Sequence, residues 1–382
     1  MNATDHVLWR SEHAGPIVAR VAVAGDFLPA GRIELPAIGG WQAAAASLAP
    51  HFADVAISFA NLECVLNAQG LRATPLCGLG DIVSSPAAAI GYLEAIRAQA
   101  VGIANNHTYD FGAEGVARTR EALETRGLTP LGTGRTLRVD AEVHIWQGQK
   151  IRVGFWAAAN ASRQLATRNS AGVEPATVAR AKRALGEIRA RGGHIAIALL
   201  HAGIQRTNRP DPADVKLVDS IARCGFHLVA ASHSHRICGF RAIRVRRDQP
   251  AFSFYGLGSI ASGYISSPEE REGLIVVAGL DARGDLAQIE VRPVIIGENG
   301  FGQVPSPVMV GSILGRFQAL SHELKDGSSS RFFYRDISRD LVGLYVRDAR
   351  AAFRASGIRG LVHKAGRLRM RHVRRLAHRL IS

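Results

Sequence analysis

Cysteine is scarce. Four residues, Cys64, Cys77, Cys224 and Cys238, are spread over 382 positions with no CxxC pair. That excludes a disulfide-stapled scaffold and a thiolate zinc site of the usual spacing, and reads as reduced thiols. Long apolar runs are also missing. Uncharged stretches such as Leu35–Ala53 are broken by proline, Gly-Gly, Gln and His, whereas a bilayer helix needs about 20 mostly apolar residues. The start, MNATDHVLWRSEH, carries an acid and no apolar core, so no secretory leader is expected and a cytoplasmic location is. Aromatics make up only 6%. What is present is ordinary for a globular chain: 47% hydrophobic and 21% charged residues, which excludes wholesale disorder.

Acids are few relative to bases, giving a net charge of +15. The excess is local. From Leu341 to Ser382 there are eleven Lys/Arg and one acid, Asp348, so a +10 tail follows a body of only +5. The body therefore gives no argument for nucleic-acid binding. Residues 360–382 read as an amphipathic helix, with Leu361, Val362, Ala365, Val373, Leu376, Ala377 and Leu380 on one face and Lys364, Arg367, Arg371, Arg374 and Arg375 largely opposite. Such a face packs on the body, touches an anionic membrane surface peripherally, or captures a polyanion. With only Tyr345 and Phe353 nearby, base stacking has little support and no sequence-specific nucleic-acid partner is expected.

The rest alternates short apolar runs with capped helical segments. The runs are 17–25, 55–61, 100–105, 151–159, 194–200, 226–232 and 251–258, rich in Val, Ile, Ala and Phe, as in strands covered on both faces. Helices are expected at Gly112–Arg126, stopped by Gly127; at Pro175–Arg191, stopped by Gly192-Gly193; and from Asp211-Pro212 to Cys224-Gly225. This predicts an α/β, layered α-β-α domain. Strand pairing and a split into two sheets are left open. Runs 273–280 and 288–296 read as a strand hairpin. GENGFGQVPSP (297–307) then reads as a break before helices at 308–324 and 336–356. The expected division is a domain over 15–300 and a helical, basic extension over 301–382.

Chemistry-bearing side chains follow the runs. Asp26 ends the first, Glu63 the second, Asn106 and His107 the third, His201 the fifth, and His233 with His235 the sixth. Ligands gather at the carboxyl ends of strands in open α/β sheets. Imidazole and carboxylate suit Mn, Fe, Zn, Co or Ni, and a bridging carboxylate can hold two divalent ions. Singly, a Gly-Asp turn or a lone His is ordinary. Five separate strand ends carrying D, E, NH, H and HxH predict two divalent metal ions, with positive charge left over for an anionic small molecule or polymer.

GDFLPAGR (25–32), ANLECVL (60–66), GIANNHTYDFGAEGVARTREAL (102–123), LGTG (131–134), LLHAG (199–203), ASHSHRICGF (231–240) and FYGLGS (254–259) resemble, in order, the motifs of the CapA family of capsule and poly-γ-glutamate synthesis proteins, within the calcineurin-like metallophosphoesterases. The resemblance implies a layered α-β-β-α sandwich. It implies that Asp26 and His235 bind one metal, that Glu63 bridges, and that Asn106, His201 and His233 complete the second site. It gives His107 the role of proton donor or oxyanion stabiliser, oriented by Asp110, and leaves Arg32 to contact an anionic substrate. Two departures stand out. Leu28 occupies the position where ordinary phosphoesterases carry a histidine, and Ser259-Ile260 follows Gly258 where the family has Asn-Phe. The expected function is metal-dependent hydrolysis of a phosphoester or amide bond. The alternative is a non-catalytic, polyanion-binding role in polymer or small-molecule biosynthesis.

Overall fold

The computed structural model describes residues 6–36, 39–74, 82–148, 151–162, 164–245 and 250–336. Two sheets carry the chain. In the larger, the strand order is Val7–Arg10, Leu286–Ile296, Glu272–Asp281, Ile17–Gly31, Ile57–Leu62, Ala98–Gly102 and Thr129–Leu131. Ser259–Gly263 also pairs with Ile17–Gly31, and Gly302–Gln303 with Leu286–Ile296. The smaller runs Phe240–Arg244, Pro250–Phe254, Leu228–Ser232, Ile195–His201, Arg152–Ala159 and His144–Gln147. The central strands of both are parallel.

The period-2 alternation of side chains explains the layers. Val21, Val23, Phe59, Phe155, Ile197 and Leu199 form one apolar core between the sheets, where the Phe59 and Phe155 rings meet edge to face at 5.2 Å. Their neighbours Ala22, Ala24 and Ala60 face the other way and pack with residues of helices Gly40–Ala45 and Ile90–Ala95 and with Leu123 of helix Gly112–Thr125. Trp156, Ala198, Leu200 and Val229 do the same under helices Val178–Ala190 and Pro212–Arg223. The result is the helix-sheet-sheet-helix sandwich expected from the resemblance, with each fully buried aliphatic or aromatic side chain contributing about 1.5–3 kcal/mol.

Helix starts follow local chemistry. Asp211 caps Pro212–Arg223 by accepting from Ala213 N–H, and Ser306 caps Pro307–Asp326 by accepting from Met309 N–H. One start differs from expectation. The helix expected to open at Pro175 begins at Val178, capped by the Thr177 hydroxyl, while Pro175 is paired with Ala159 as a bridge.

Residues on both sides of position 300 pack into shared cores. Phe301 is buried among Trp41 and Tyr92. Val310, Ile313, Leu314, Phe317 and Leu320 of helix Pro307–Asp326 join the inter-sheet core, and Phe317 stacks on Phe240 and Phe254. The strand Val7–Arg10 extends the same sheet before residue 15. Most of the expected helix 336–356 and the whole basic segment 360–382, with its proposed membrane contact, lie outside the described residues, as does Cys77.

Candidate metal centre

The parallel strands of both sheets end on one side of the sandwich, and the candidate residues meet there. Asp26 owes its position to a bulge: the register with Ile57–Leu62 shifts between Ala24 and Asp26, and bulges re-aim side chains. Gly25 makes this possible. A Cβ there would sit 2.0 Å from the Gly258 carbonyl oxygen, which instead accepts the Asp26 N–H at 3.1 Å. His233 and His235 are not in an extended segment. They lie in a turn with φ of 96° and 54°, a region that L-residues rarely occupy and that concentrates at functional sites. The His233 N–H donates to Asp26 Oδ2 at 2.9 Å, tying this turn to the other sheet.

Asp26, Glu63 and His201 are almost completely buried. His201 Nε2 lies 3.3 Å from Glu63 Oε1 and hydrogen-bonds to Asn106 Oδ1 at 2.6 Å. His235 Nδ1 lies 3.4 Å from Asp26 Oδ2 and 3.8 Å from Glu63 Oε2. Two three-residue groups result, Asp26–Glu63–His235 and Glu63–His201–His233, each offering ligand atoms within 4.8 Å of one another. They share Glu63.

Glu63 carries the sharpest feature. Both of its carboxylate oxygens are buried without a hydrogen-bond partner, and so is His233 Nδ1. The Glu63–His201 approach is therefore an electrostatic contact rather than a hydrogen bond. An isolated buried carboxylate is strongly disfavoured, so this donor set fits a pair of cations. Without them the histidines answer the acids. Burial pulls the His201 imidazole down, but Glu63 and Asp26 outweigh it and push it up to about 9. His235 is raised, burial again being outweighed by Glu63 and Asp26. His233 is held well below the ordinary value by burial and by the neighbouring imidazoles. Burial would raise Asp26, but His201 and His235 hold it well below the usual carboxylate range.

His107 stands beside this cluster, with Nδ1 2.7 Å from Asp110 Oδ2. The same Asp110 oxygen accepts the Val83 N–H at 2.9 Å. Arg32 is exposed and follows the end of strand Ile17–Gly31, where Gly31 turns the chain with a φ of 83°, and among the described residues no side-chain hydrogen bond or ion pair joins it to the cluster. Leu28 is buried in the apolar layer under the helices.

Four residues to which the motifs gave no role organise the centre. Asn61 Nδ2 donates to Asp26 Oδ1 at 2.7 Å and lies 3.2 Å from His201 Nδ1. Asn105 donates to the Leu62 carbonyl at 2.7 Å, and its side-chain oxygen accepts the His107 N–H at 3.1 Å. The Ser232 hydroxyl is 3.2 Å from His201 Nδ1, and the Ser259 hydroxyl is 3.3 Å from His235 Nδ1. Asn61 had one readable signal: at two residues before Glu63, strand alternation puts both on one face.

The chain is similar to several known proteins. It is 28% identical over 283 residues to a protein of Mycobacterium tuberculosis strain H37Rv described as a probable polyglutamine synthesis accessory protein, covering 69% of this chain and 72% of that one. The same figures hold for its counterpart in strain CDC 1551. Among solved structures, a 5'-nucleotidase precursor from Thermus thermophilus matches at 14% identity and a TM-score of 0.47, over 81% of this chain and 59% of that one. An NAD nucleotidase from Haemophilus influenzae matches at 13% identity and a TM-score of 0.43, over 79% and 62%. The chain thus spans about three fifths of those two structures. The family model for the bacterial capsule synthesis protein PGA_cap matches residues 20–264. Every residue of the centre falls inside that span, and with well over half of the sequence matched, the chain belongs to the PGA_cap (CapA) family of capsule synthesis proteins.

Proposed function

We propose that this chain is a two-metal hydrolase acting on an anionic substrate in capsule or poly-γ-glutamate-type polymer synthesis. The observation that carries the reading is Glu63, a buried carboxylate with both oxygens unsatisfied at the junction of two ligand groups. On this reading Asp26, Glu63 and His235 hold one ion, and Glu63, Asn106, His201 and His233 the other. When bound, such ions supply Lewis acidity and water of lowered pKa.

The chain's own groups do the rest. Two divalent cations outweigh the charges of Asp26 and Glu63, so the site attracts an anionic group. Asp110 accepts from His107 Nδ1–H and fixes the ring. That leaves Nε2 to carry the proton given to the departing oxygen or nitrogen. Asn105, by accepting the His107 N–H, holds that residue's backbone in register with Glu63.

A second reading has its own observation. With Leu28 buried in the apolar layer, the first ion has only Asp26, Glu63 and His235, which suits a receptor for polyanions as well as an enzyme. The name of the mycobacterial relative describes an accessory protein, and a carboxylate polymer is the ligand on this view. A screen of a phosphomonoester, a phosphodiester and a γ-glutamyl amide separates the two. Turnover of one of them that falls by about 10²–10⁴ in His107→Ala is the expected result. Binding without turnover of all three contradicts hydrolysis and leaves the receptor.

A further inference from the structure

The sharpest unused feature lies at the rim of the histidine turn. Three of the five non-glycine residues with positive φ among the described residues belong to it: His233, His235 and Arg206, the last at 64°. Arg206 is joined to the turn directly, its N–H donating to the Ser234 carbonyl at 2.8 Å. Strained backbone persists where the surroundings over-determine it, and it concentrates at ligand sites. Two of these three residues are candidate ligands, and nothing so far gives the third a task.

The surroundings of Arg206 supply one. Its side chain is 59% exposed, and its Nε lies 3.4 Å from Oε1 of the buried Glu270. Glu270 is already satisfied by other groups. It accepts from the Ser266 N–H at 2.7 Å and from the Ser266 hydroxyl, and Arg236, the residue after His235, lies 3.7 Å away. Arg236 is itself anchored, donating to the Ser267 hydroxyl at 3.0 Å. Arg206 and Arg236 therefore share Glu270, while Glu269 also acts on Arg236, which leaves the exposed Arg206 as the less firmly held of the two. Among the described residues, the Arg206 guanidinium makes no hydrogen bond. Its exposed ion pair is weakly held and can be exchanged for a ligand.

We propose that Arg206 is the substrate-recognising residue of this centre, closing its guanidinium fork on a phosphate or carboxylate oxyanion, with Glu270 and Arg236 setting its position. The inference rests on the anionic-substrate reading above. A planar fork matches such groups in a bidentate way that lysine does not reproduce.

The test is calorimetric titration of the wild type, Arg206→Gln and Arg206→Lys with inorganic phosphate and, separately, γ-glutamylglutamate. Each is run with Mn²⁺ and in metal-free protein, and metal content is measured in parallel. The expected result is that the Gln variant weakens at least one ligand about tenfold, that Lys restores only part of the loss, and that metal content is unchanged. The ligand that weakens identifies the oxyanion. Wild-type affinity for both ligands in the Gln variant, or no binding of either by the wild type, overturns the proposal. Failure of the wild type to take up Mn²⁺ overturns the metal reading instead, and the metal-free comparison then decides the role of Arg206 by itself.

Discussion

Single side chains in this molecule carry opposite burdens within a few ångströms. Asp26 and Glu63 are buried acids, and three imidazoles face them. In metal-free protein, His201 is held up to about 9 and His235 is raised as well. A group with a raised folded pKa adds stability that is fully present below its unfolded value, about 6.5 for histidine. That stability is lost as pH climbs through the folded value. His233, depressed by burial and its neighbours, acts in the other sense: its contribution is lost as pH drops below about 6.5. Asp26, also depressed, adds a loss at still lower pH. The thermal midpoint of metal-free protein is therefore predicted to peak near pH 6.5 and to fall toward pH 9, with a flatter alkaline limb in His201→Asn. Thermal unfolding across that range checks it. A wild-type midpoint that is constant from pH 6.5 to 9 would contradict the electrostatic picture.

At the scale of elements, the helix Pro307–Asp326 is the instructive case. GENGFGQVPSP reads as a linker because glycine and proline cluster there. The glycines instead serve a tight turn, in which the Gly297 N–H donates to the Phe301 carbonyl at 2.9 Å. This turn drops Phe301 onto Trp41 and Tyr92, and the helix that follows lays Phe317 against Phe240 and Phe254. Composition signals a turn and a linker alike, and only the packing partners tell them apart. Truncating Phe317 to alanine is predicted to cost about 3–5 kcal/mol. Urea unfolding measures it. A loss below about 1 kcal/mol would mean that this helix is an appendage after all.

For the whole molecule, what was legible followed from topology. Parallel strands place their carboxyl ends on one side, so residues far apart in sequence converge without any knowledge of pairing. That is why Asp26, Glu63, Asn106, His201, His233 and His235 could be named from strand ends. The apolar runs signalled strands covered on both faces, but a helix layer and a second sheet cover a strand alike, so the two-sheet layering came from the family resemblance rather than from the runs. The roles of Asn61, Asn105, Ser232 and Ser259 were hidden because their work is to hold other side chains, which requires distances rather than motifs. The turn geometry of His233 and His235 was hidden too: HxH in a strand and HxH in a left-handed turn are spelled alike.

The proposed two-metal reading turns on Glu63 as the residue that two cations would share. Metal content per chain by mass spectrometry, in wild type and in Glu63→Ala, tests that most directly. The account predicts two divalent ions in the wild type and at most one in the variant. Two tightly held ions in both proteins would contradict it.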